Sequence, residues 1–522
     1  MSCIMRKFLL LSAGILLGLP PLWAATLSDD AQRQLTSQTA PVDKRARDIL
    51  GKFVEKPEIV IEEKKEEKSV QEEGPPFFVK KIKLEGNQII PSRTFEKVIP
   101  PFENRSYSFN HLAAFAEIVT NIYRSQGYVT SRAYVPPQTV KDDTVTVKVL
   151  EGRVGKIYVE GNKYFDSDSY IRYFKFGRLR RFRYQDLESG LYRLNQHPDR
   201  RAKAYLLAGE KLGRSDIILK VKDSDPSHFY YDFNNHGTKL THYGRYNFHL
   251  DHDNLFGFDD SLSTTVTVAE EHALEGYSFA YNFPLENIFE NIPASLSLSG
   301  GVTKSRLVGA LKPSEIRGKS ESFSPGITYS LVRKPEEVIQ VFLGFNYLDS
   351  ISNVNDVRVN ADRARSLQLG PRISFQGSGG RTIINADVHI GLPGFFGGLK
   401  TNDSNASVRN SGGDFTYYTV NVARLQSLPA SMIFIARAGG QWTSDTLPST
   451  EQYRAGGAYT VRGYQESEAG GDYGWSCGAE VNAPVFFLPK SFESLFLFSS
   501  FLILLVPLDG VEDGSTIGVS RC

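Results

Sequence analysis

Apolar and polar side chains take turns along most of the second half of this chain. Between Tyr243 and Leu250, Tyr246, Phe248 and Leu250 alternate with Arg245, Asn247 and His249. The pattern returns with Leu262, Thr264, Val266 and Val268 against Ser263, Thr265 and Thr267, and again with Tyr277, Phe279, Tyr281 and Phe283 against Ser278, Ala280 and Asn282. A period of two is the period of a strand, because successive side chains leave the pleat on opposite sides. Ile339, Val341, Leu343, Phe345 and Tyr347 continue it, and Asn254, Gly257, Pro284, Asn291 and Pro293 supply turn chemistry between runs. The pattern predicts eleven strands, near 228–235, 243–250, 261–269, 276–283, 294–302, 321–332, 338–348, 365–376, 381–391, 414–425 and 431–441. A soluble sandwich alternates likewise. Regular spacing, a polar second face without hydrophobes and aromatics near strand ends favour a membrane barrel.

The first half is organised differently. Residues 77–225 contain an internal repeat, in which Val79-Lys80-Lys81-Ile82-Lys83-Leu84-Glu85-Gly86-Asn87 returns as Val154-Gly155-Lys156-Ile157-Tyr158-Val159-Glu160-Gly161-Asn162. Each copy continues into a helical stretch, around His111 to Gln126 and Asp186 to Gln196, and closes on a pair of strands ending at Thr144 to Leu150 and Asp216 to Val221. Gly127-Tyr128 predicts a glycine C-cap for the first helix. Residues 26–76, with Glu62-Glu63-Lys64-Lys65-Glu66-Glu67-Lys68 and Pro75-Pro76, read as a flexible charged linker with no core-forming pattern.

Composition adds the compartment. Met1 to Ala25 carries Arg6 and Lys7, an apolar run from Phe8 to Leu19 and small residues at Ala24 and Ala25, the layout of a secretory signal peptide. Cys3 lies inside it, so Cys477 and Cys522 remain, enough for one bridge but not for a disulfide framework. A net charge of +1 gives no electrostatic argument for a nucleic-acid partner. Past residue 25 no uninterrupted apolar run reaches the ~18 residues of a spanning helix. Membrane residence therefore requires a closed barrel. Neither a Gly-x-Ser-x-Gly elbow nor a His-Glu-x-x-His pair occurs, so no catalytic residue, metal ligand or cofactor site is assigned, and His249 reads as a polar residue of the barrel interior. In the second repeat, Arg178, Arg180, Arg181 and Arg183 form a basic cluster, either a solvated face or a patch that steers an acidic client.

The most specific stretch is Gly456-Gly457-Ala458-Tyr459-Thr460-Val461-Arg462-Gly463-Tyr464, followed by Gly471-Asp472-Tyr473-Gly474. Val461, Arg462, Gly463 and Tyr464 resemble the VRG[FY] loop of the Omp85 superfamily of outer-membrane barrels, and the repeat resembles two POTRA (polypeptide-transport-associated) modules. With Asn235-His236-Gly237, Gly244-Arg245, Asn254-Leu255-Phe256-Gly257, Asp260 and Tyr281-Asn282-Phe283-Pro284-Leu285, nearly the whole chain past residue 25 resembles the hemolysin activation/secretion transporters of the ShlB and FhaC type. The fold expected is α+β periplasmic POTRA modules followed by an antiparallel transmembrane β-barrel, sixteen strands in the family and about fourteen recognisable here. The expected layout is a signal peptide at 1–25, a possible plug helix and charged linker at 26–76, POTRA modules at 77–151 and 152–225, and the barrel at 226–522.

The resemblance implies a pore in the outer membrane of a Gram-negative bacterium, with its POTRA modules in the periplasm. It would export a large β-helical exoprotein whose N-terminal secretion domain docks on those modules, without ATP; its own insertion would need outer-membrane lipid and the barrel-assembly machinery. The family pairs the loop arginine, here Arg462, with an aspartate of a later strand; Asp509 and Asp513 are the two candidates, and both fit the family's Phe-x-Asp motif poorly. A general assembly or translocation factor of the same superfamily is the alternative, and an outer-membrane enzyme a more remote one. After Glu480-Val481-Asn482-Ala483-Pro484 the alternation gives way to a nearly continuous apolar run from Leu495 to Val506. That run predicts either an altered C-terminal end with compromised closure or a strand apolar on both faces.

Overall fold

The structure, a computed structural model, describes residues 58–61, 76–140, 142–176, 181–289, 292–334, 336–430, 432–457, 460–461, 463–464, 467, 469–484 and 497–505. The signal-peptide and plug-helix expectations lie outside these residues. The chain divides into two compact units, Lys56–Asp225 and the stretch from Pro226 onward.

In chain order the first unit contains β1 (Ile59–Ile61), β2 (Phe77–Val79), β3 (Lys81–Glu85), β4 (Arg105–Tyr107), α1 (Phe109–Ser125), β5 (Arg132–Tyr134), β6 (Thr144–Leu150), β7 (Arg153–Glu160), α2 (Ser167–Ile171), α3 (Tyr184–Asn195), β8 (Arg200–Ala208) and β9 (Arg214–Asp223). Along α1 the apolar residues fall at helical spacing, so Leu112, Phe115, Ala116, Val119 and Tyr123 share one face and bury it against Val79, Ile82, Val145 and Val147. Each of the larger side chains contributes about 1.5–3 kcal/mol by leaving water. Gly127, at φ +89°, ends α1: its N–H reaches the Arg124 carbonyl at 2.9 Å and that of Tyr128 the Tyr123 carbonyl at 3.0 Å, the two bonds of a Schellman motif. In the second module Leu187, Leu191 and Leu194 of α3 pack on Ala202, Ala204, Leu206, Ile217 and Leu219.

The repeat is visible atom by atom. Gly86 and Gly161 have φ of +92° and +93°, and a Cβ on either would collide with a carbonyl oxygen of the neighbouring strand, Val149 or Val221. Asn87 and Asn162 each donate from Nδ2 to a carbonyl three residues on, Ile90 at 3.3 Å and Phe165 at 2.9 Å. β3 runs parallel to β6, as β7 does to β9. The modules are coupled directly: Gly152 N–H donates to Ser131 Oγ at 2.9 Å, and Tyr184 N–H to the Gly127 carbonyl at 2.9 Å.

One sequence expectation is corrected here. Within the stretch read as a linker without structure, Ile59–Ile61 forms β1 and adds in parallel to β8, giving a sheet of order β1-β8-β9-β7. Three β-branched residues suit a strand, but the edge that receives them lies far along the chain, where a local pattern carries no trace of it.

Among the described residues the second unit forms, beside a small separate ladder, one antiparallel sheet of thirteen strands in sequence order. They are β10 (Ser227–Asn234), β11 (Arg245–His252), β12 (Ser261–Ala269), β13 (Leu274–Pro284), β14 (Ala294–Arg306), β15 (Ile316–Arg333), β16 (Glu337–Val354), β17 (Val357–Gly377), β18 (Gly380–Gly391), β19 (Thr416–Ser427), β20 (Ile433–Thr443), β23 (Gly474–Pro484) and β24 (Leu497–Leu505); β21 (Tyr453–Ala455) and β22 (Ala469–Gly471) form a separate two-stranded ladder. The late apolar run supplies β24, antiparallel to β23. Among the described residues, β10 and β24 are the edges and are not paired with each other.

The sheet's polarity is inverted relative to a soluble protein. One face exposes Phe229, Tyr231, Phe248, Leu250, Tyr277, Phe323, Leu343, Tyr418 and Trp442, while the other buries Asn247, Ser297, Ser299, Thr303, Ser320, Thr328, Thr419, Gln441 and Asn482. A greasy face turned outward has its counterpart solvent in lipid, and a polar face turned inward in a water-filled interior. Among the described residues no helix is long and apolar enough to cross a membrane.

Candidate functional site

The loop between β20 and β23, residues 444–473, carries the Gly-rich motif. Its stem is the β21–β22 ladder, which pairs Tyr453 with Gly471 and Ala455 with Ala469. At the tip Gly456 and Gly457 take φ of +112° and +96°, a succession that side chains with a Cβ resist. Thr460 Oγ1 bridges the turn, accepting from the Gly456 N–H and donating to its carbonyl, both at 2.9 Å. Val461 is buried with Tyr453 and Ala455, whereas Gly463, at φ +95°, and Tyr464 are exposed. Arg462 lies outside the described residues.

Side chains on the polar face of β20 and β23 hold this loop at its root. The Tyr453 hydroxyl lies 2.7 Å from Ser476 Oγ of β23 and donates to the Gly439 carbonyl of β20 at 3.5 Å. Gln441 Nε2 donates to the carbonyls of Glu451 (2.9 Å) and Asp472 (3.0 Å). Asp472 Oδ1 in turn accepts from Leu447 N (3.1 Å) and Gln452 Nε2 (2.9 Å), so the two ends of the loop are clasped together. The loop is therefore folded onto the polar face.

A second clasp centres on Asp362 of β17, which is 1% exposed. Its oxygens accept from the Ser407 N–H at 2.7 Å, the Ser407 hydroxyl at 2.5 Å and the Ser449 hydroxyl at 3.1 Å. Arg454, whose guanidinium burial pushes down to about 10 against the raising charge of Asp362, donates from Nη2 to the Ser449 carbonyl at 2.6 Å. A buried carboxylate without partners would be costly; here its hydrogen bonds tie the loop of residues 392–415 to that of residues 444–473. Beside it, the Tyr417 hydroxyl donates to Glu451 Oε2 at 2.7 Å. Burial pushes the Glu451 carboxyl up to about 6, the Tyr417 bond pulls it down, and the Asp362 charge raises it.

More polar groups line the same face. Arg372 and Asp387 pair at 2.7 Å, both nearly buried, and Arg437 and Glu480 approach to 3.8 Å. His249 stands on that face with Nε2 at 2.7 Å from Asp232 and Nδ1 at 3.0 Å from Thr265. The arrangement is a polar, charged wall with a loop pinned to it.

The remaining predicted site residues are placed as follows. Arg181 bridges Arg153 through its backbone and is half-buried, Arg183 precedes α3 and is exposed, and Arg178 and Arg180 lie outside the described residues. Asp509 and Asp513 also lie outside them, and β24, Leu-Phe-Ser-Ser-Phe-Leu-Ile-Leu-Leu, carries no carboxylate. Sequence reasoning missed Asp362, Ser407, Ser449 and Glu451. The partners of Asp362 lie 45 and 87 residues away, and a single aspartate in a strand that is polar on both faces carries no signal of them.

A family model described as haemolysin secretion/activation protein ShlB/FhaC/HecB matches residues 213–498, more than half of the chain, and one described as POTRA domain, ShlB-type, matches residues 77–152. Among curated proteins, the heme/hemopexin transporter protein HuxB of Haemophilus influenzae (strain 86-028NP) is 24% identical over 424 residues, covering 78% of this chain and 73% of that protein. The outer membrane transporter CdiB of Dickeya dadantii (strain 3937) is 23% identical over 427 residues, covering 80% and 74%. Among solved structures, CdiB from Escherichia coli superposes with a TM-score of 0.65 at 20% identity, over 88% of this chain and 85% of that one. With POTRA architecture, a sheet of inverted polarity and a family match across the second unit, this chain belongs to the haemolysin secretion/activation family of ShlB, FhaC and HecB.

Proposed function

We propose that the chain is an outer-membrane pore that exports a large secreted partner protein by two-partner secretion. The inverted polarity of the thirteen-stranded sheet carries this reading. Apolar side chains facing out tolerate hydrocarbon, and a face of Ser, Thr, Asn and paired charges lets an unfolded chain pass without exposing peptide groups to lipid. The modules within 77–225 offer sheet edges that an extended client can join, and the client is expected to dock there before threading. Relatives that bear the names of heme/hemopexin and outer-membrane transporters support an exoprotein as cargo. The client is expected to be β-helical with an N-terminal secretion domain, and insertion of the pore to depend on the barrel-assembly machinery.

The Val461-Arg462-Gly463-Tyr464 tip is the proposed moving or sealing element, held in place by its clasped root. Replacing Arg462→Ala is expected to reduce export while client docking persists; equal loss of both removes the assignment. The basic residues Arg178, Arg180, Arg181 and Arg183 are the proposed steering patch for an acidic client segment.

The reading as a whole is tested by comparing culture supernatants with and without a functional copy of this gene. One large exoprotein is expected to vanish from the medium and accumulate in the periplasm, and to return on complementation. An unchanged supernatant contradicts export. A general loss of outer-membrane proteins points instead to a barrel-assembly factor.

A further inference from the structure

The outward face of the sheet changes character abruptly near one end. Along β15, Phe323, Pro325, Ile327, Tyr329 and Leu331 share that face, and the next two outward positions toward the β14–β15 turn are Glu321 and Lys319. Along β14, Leu296, Leu298, Gly300 and Val302 give way in the same manner to Lys304 and Arg306. The apolar stretch from Phe323 to Leu331 has about the length, roughly 9–11 residues, that a tilted strand needs to cross hydrocarbon. The border therefore marks the rim of the apolar layer. β10, β12 and β14 run in the same direction, so Lys304 and Arg306 lie at the end of the sheet remote from Ser227, where the chain passes from the first unit into β10.

At this border the outward face is hollowed. A groove of about 540 Å³ is lined by Val266, Tyr277, Phe279, Val302, Phe323 and Tyr347, with Glu321 at its rim. It exists because Gly300 stands between its register partners Phe279 and Phe323 without a side chain of its own. A Cβ there would lie 2.7 Å from the Ser322 carbonyl oxygen and 3.1 Å from the Phe279 ring. One outward position beyond Val302, Lys304 and Lys319 are register partners, and in the next row Arg306 faces Arg317. Like charges directly opposite one another destabilise a sheet. Carboxylates relieve part of this: Lys319 meets Glu321, and Arg317 meets Glu315 at 3.2 Å and Asp356 at 3.1 Å. Glu275, opposite Lys304 on its other side, is engaged by His272 at 2.7 Å, and Arg306 donates to the Glu271 carbonyl. Among the described residues Lys304 has no ion-pair partner.

We propose that the groove and the lysine pair beyond it form a binding site for a phosphorylated glycolipid of the outer leaflet, with one acyl chain lying over Gly300 and a headgroup phosphate between Lys304 and Lys319. The groove opens on the apolar exterior and takes an alkyl chain, while the row beyond it takes an anion, since two ammonium groups side by side attract a phosphate as paired point charges. An amphiphile satisfies both at once. Its head must point away from the Ser227 end, which excludes lipids of the opposite leaflet, whose heads lie at that end. The choice of leaflet rests on the export reading, in which the POTRA modules are periplasmic; the pairing of an alkyl groove with an anion site does not.

The test uses the full chain, folded in detergent micelles, and fluorescent diphosphoryl lipid A as probe. The unsubstituted chain is expected to bind it saturably. Lys304→Gln combined with Lys319→Gln is expected to weaken binding about tenfold or more. Val302→Trp, which fills the groove, should weaken it to a similar extent, and both variants should keep the heat-dependent gel mobility of a folded chain. Replacing Lys334 and Lys400, which lie away from the row, should change nothing. Lipid A stripped of its phosphates should bind the unsubstituted chain as weakly as the diphosphoryl form binds the double lysine variant; this comparison needs no substitution and decides the matter even where a variant fails to fold. Equal affinity across these forms and lipids overturns the proposal. So does displacement of the probe by phosphatidylglycerol at equal concentration, or a dimer of the chain that lipid A leaves intact and Val302→Trp dissociates. A chain that binds lipid A as expected but exports no protein keeps the site and loses the export reading; a chain that exports while all forms bind equally loses the site alone.

Discussion

Asp362 shows how a single residue organises the loops of residues 392–415 and 444–473. Replacing it with alanine leaves the Ser407 N–H without its acceptor and the half-buried Ser407 and Ser449 hydroxyls with each other in place of the carboxylate, a loss of about 1–3 kcal/mol in the clasp. Cleavage by trypsin at Lys400, Arg409 and Arg454 should then run roughly five- to hundredfold faster than in the unsubstituted chain; an unchanged digestion pattern removes Asp362 from the clasp. Glu451 makes the same clasp sensitive to pH. Its carboxyl titrates at about 6 in the folded loop, above its ordinary 4.5, so its contribution is complete below about 4.5 and is lost as pH rises through 6. Hydrogen exchange in residues 444–455, corrected for intrinsic rates, should therefore be slower at pH 5 than at pH 7.5, and Glu451→Gln should abolish the difference. None of this was legible in the sequence, since each partner is chosen by the curvature of the sheet and not by spacing along the chain.

At the scale of elements the sequence spoke more clearly. Tyr246, Phe248 and Leu250 on one side and Asn247 and His249 on the other define β11, and the loop of interest does join the eleventh and twelfth strands of the sheet. Strand ends were less legible. The eighth strand was expected at 365–376 and begins at Val357, because Arg358, Asn360, Asp362 and Arg363 blur the alternation where both faces meet polar surroundings. β1 was missed for the opposite reason, as its triplet is patterned but too short to stand out from charged flanks. In the repeated modules, the matched glycines make a paired prediction. Gly86→Ala strains a positive φ and drives a methyl into the Val149 carbonyl, at a cost of about 1–2 kcal/mol from the backbone alone. Hydrogen exchange should loosen residues 77–150 in that variant and residues 153–223 in Gly161→Ala. Uniform loosening in both would mean that the two modules unfold as one.

For the whole molecule, the decisive property is which face of the sheet meets lipid. Composition alone did not settle it, because alternation is common to soluble sandwiches; the burial of the polar residues and exposure of the aromatic ones does. Membrane insertion should leave the purified chain with heat-modifiable gel mobility, a folded form migrating ahead of the boiled one. The most direct measurement is cysteine labelling by a membrane-impermeant maleimide in proteoliposomes, at adjacent positions of two strands in a chain whose own cysteines are serine. Ser299→Cys and Thr419→Cys, on the polar face, should react, while Leu298→Cys and Tyr418→Cys, on the apolar face, should stay protected. The reverse pattern, or equal labelling at all four, would contradict a lipid-facing exterior around a water-filled passage.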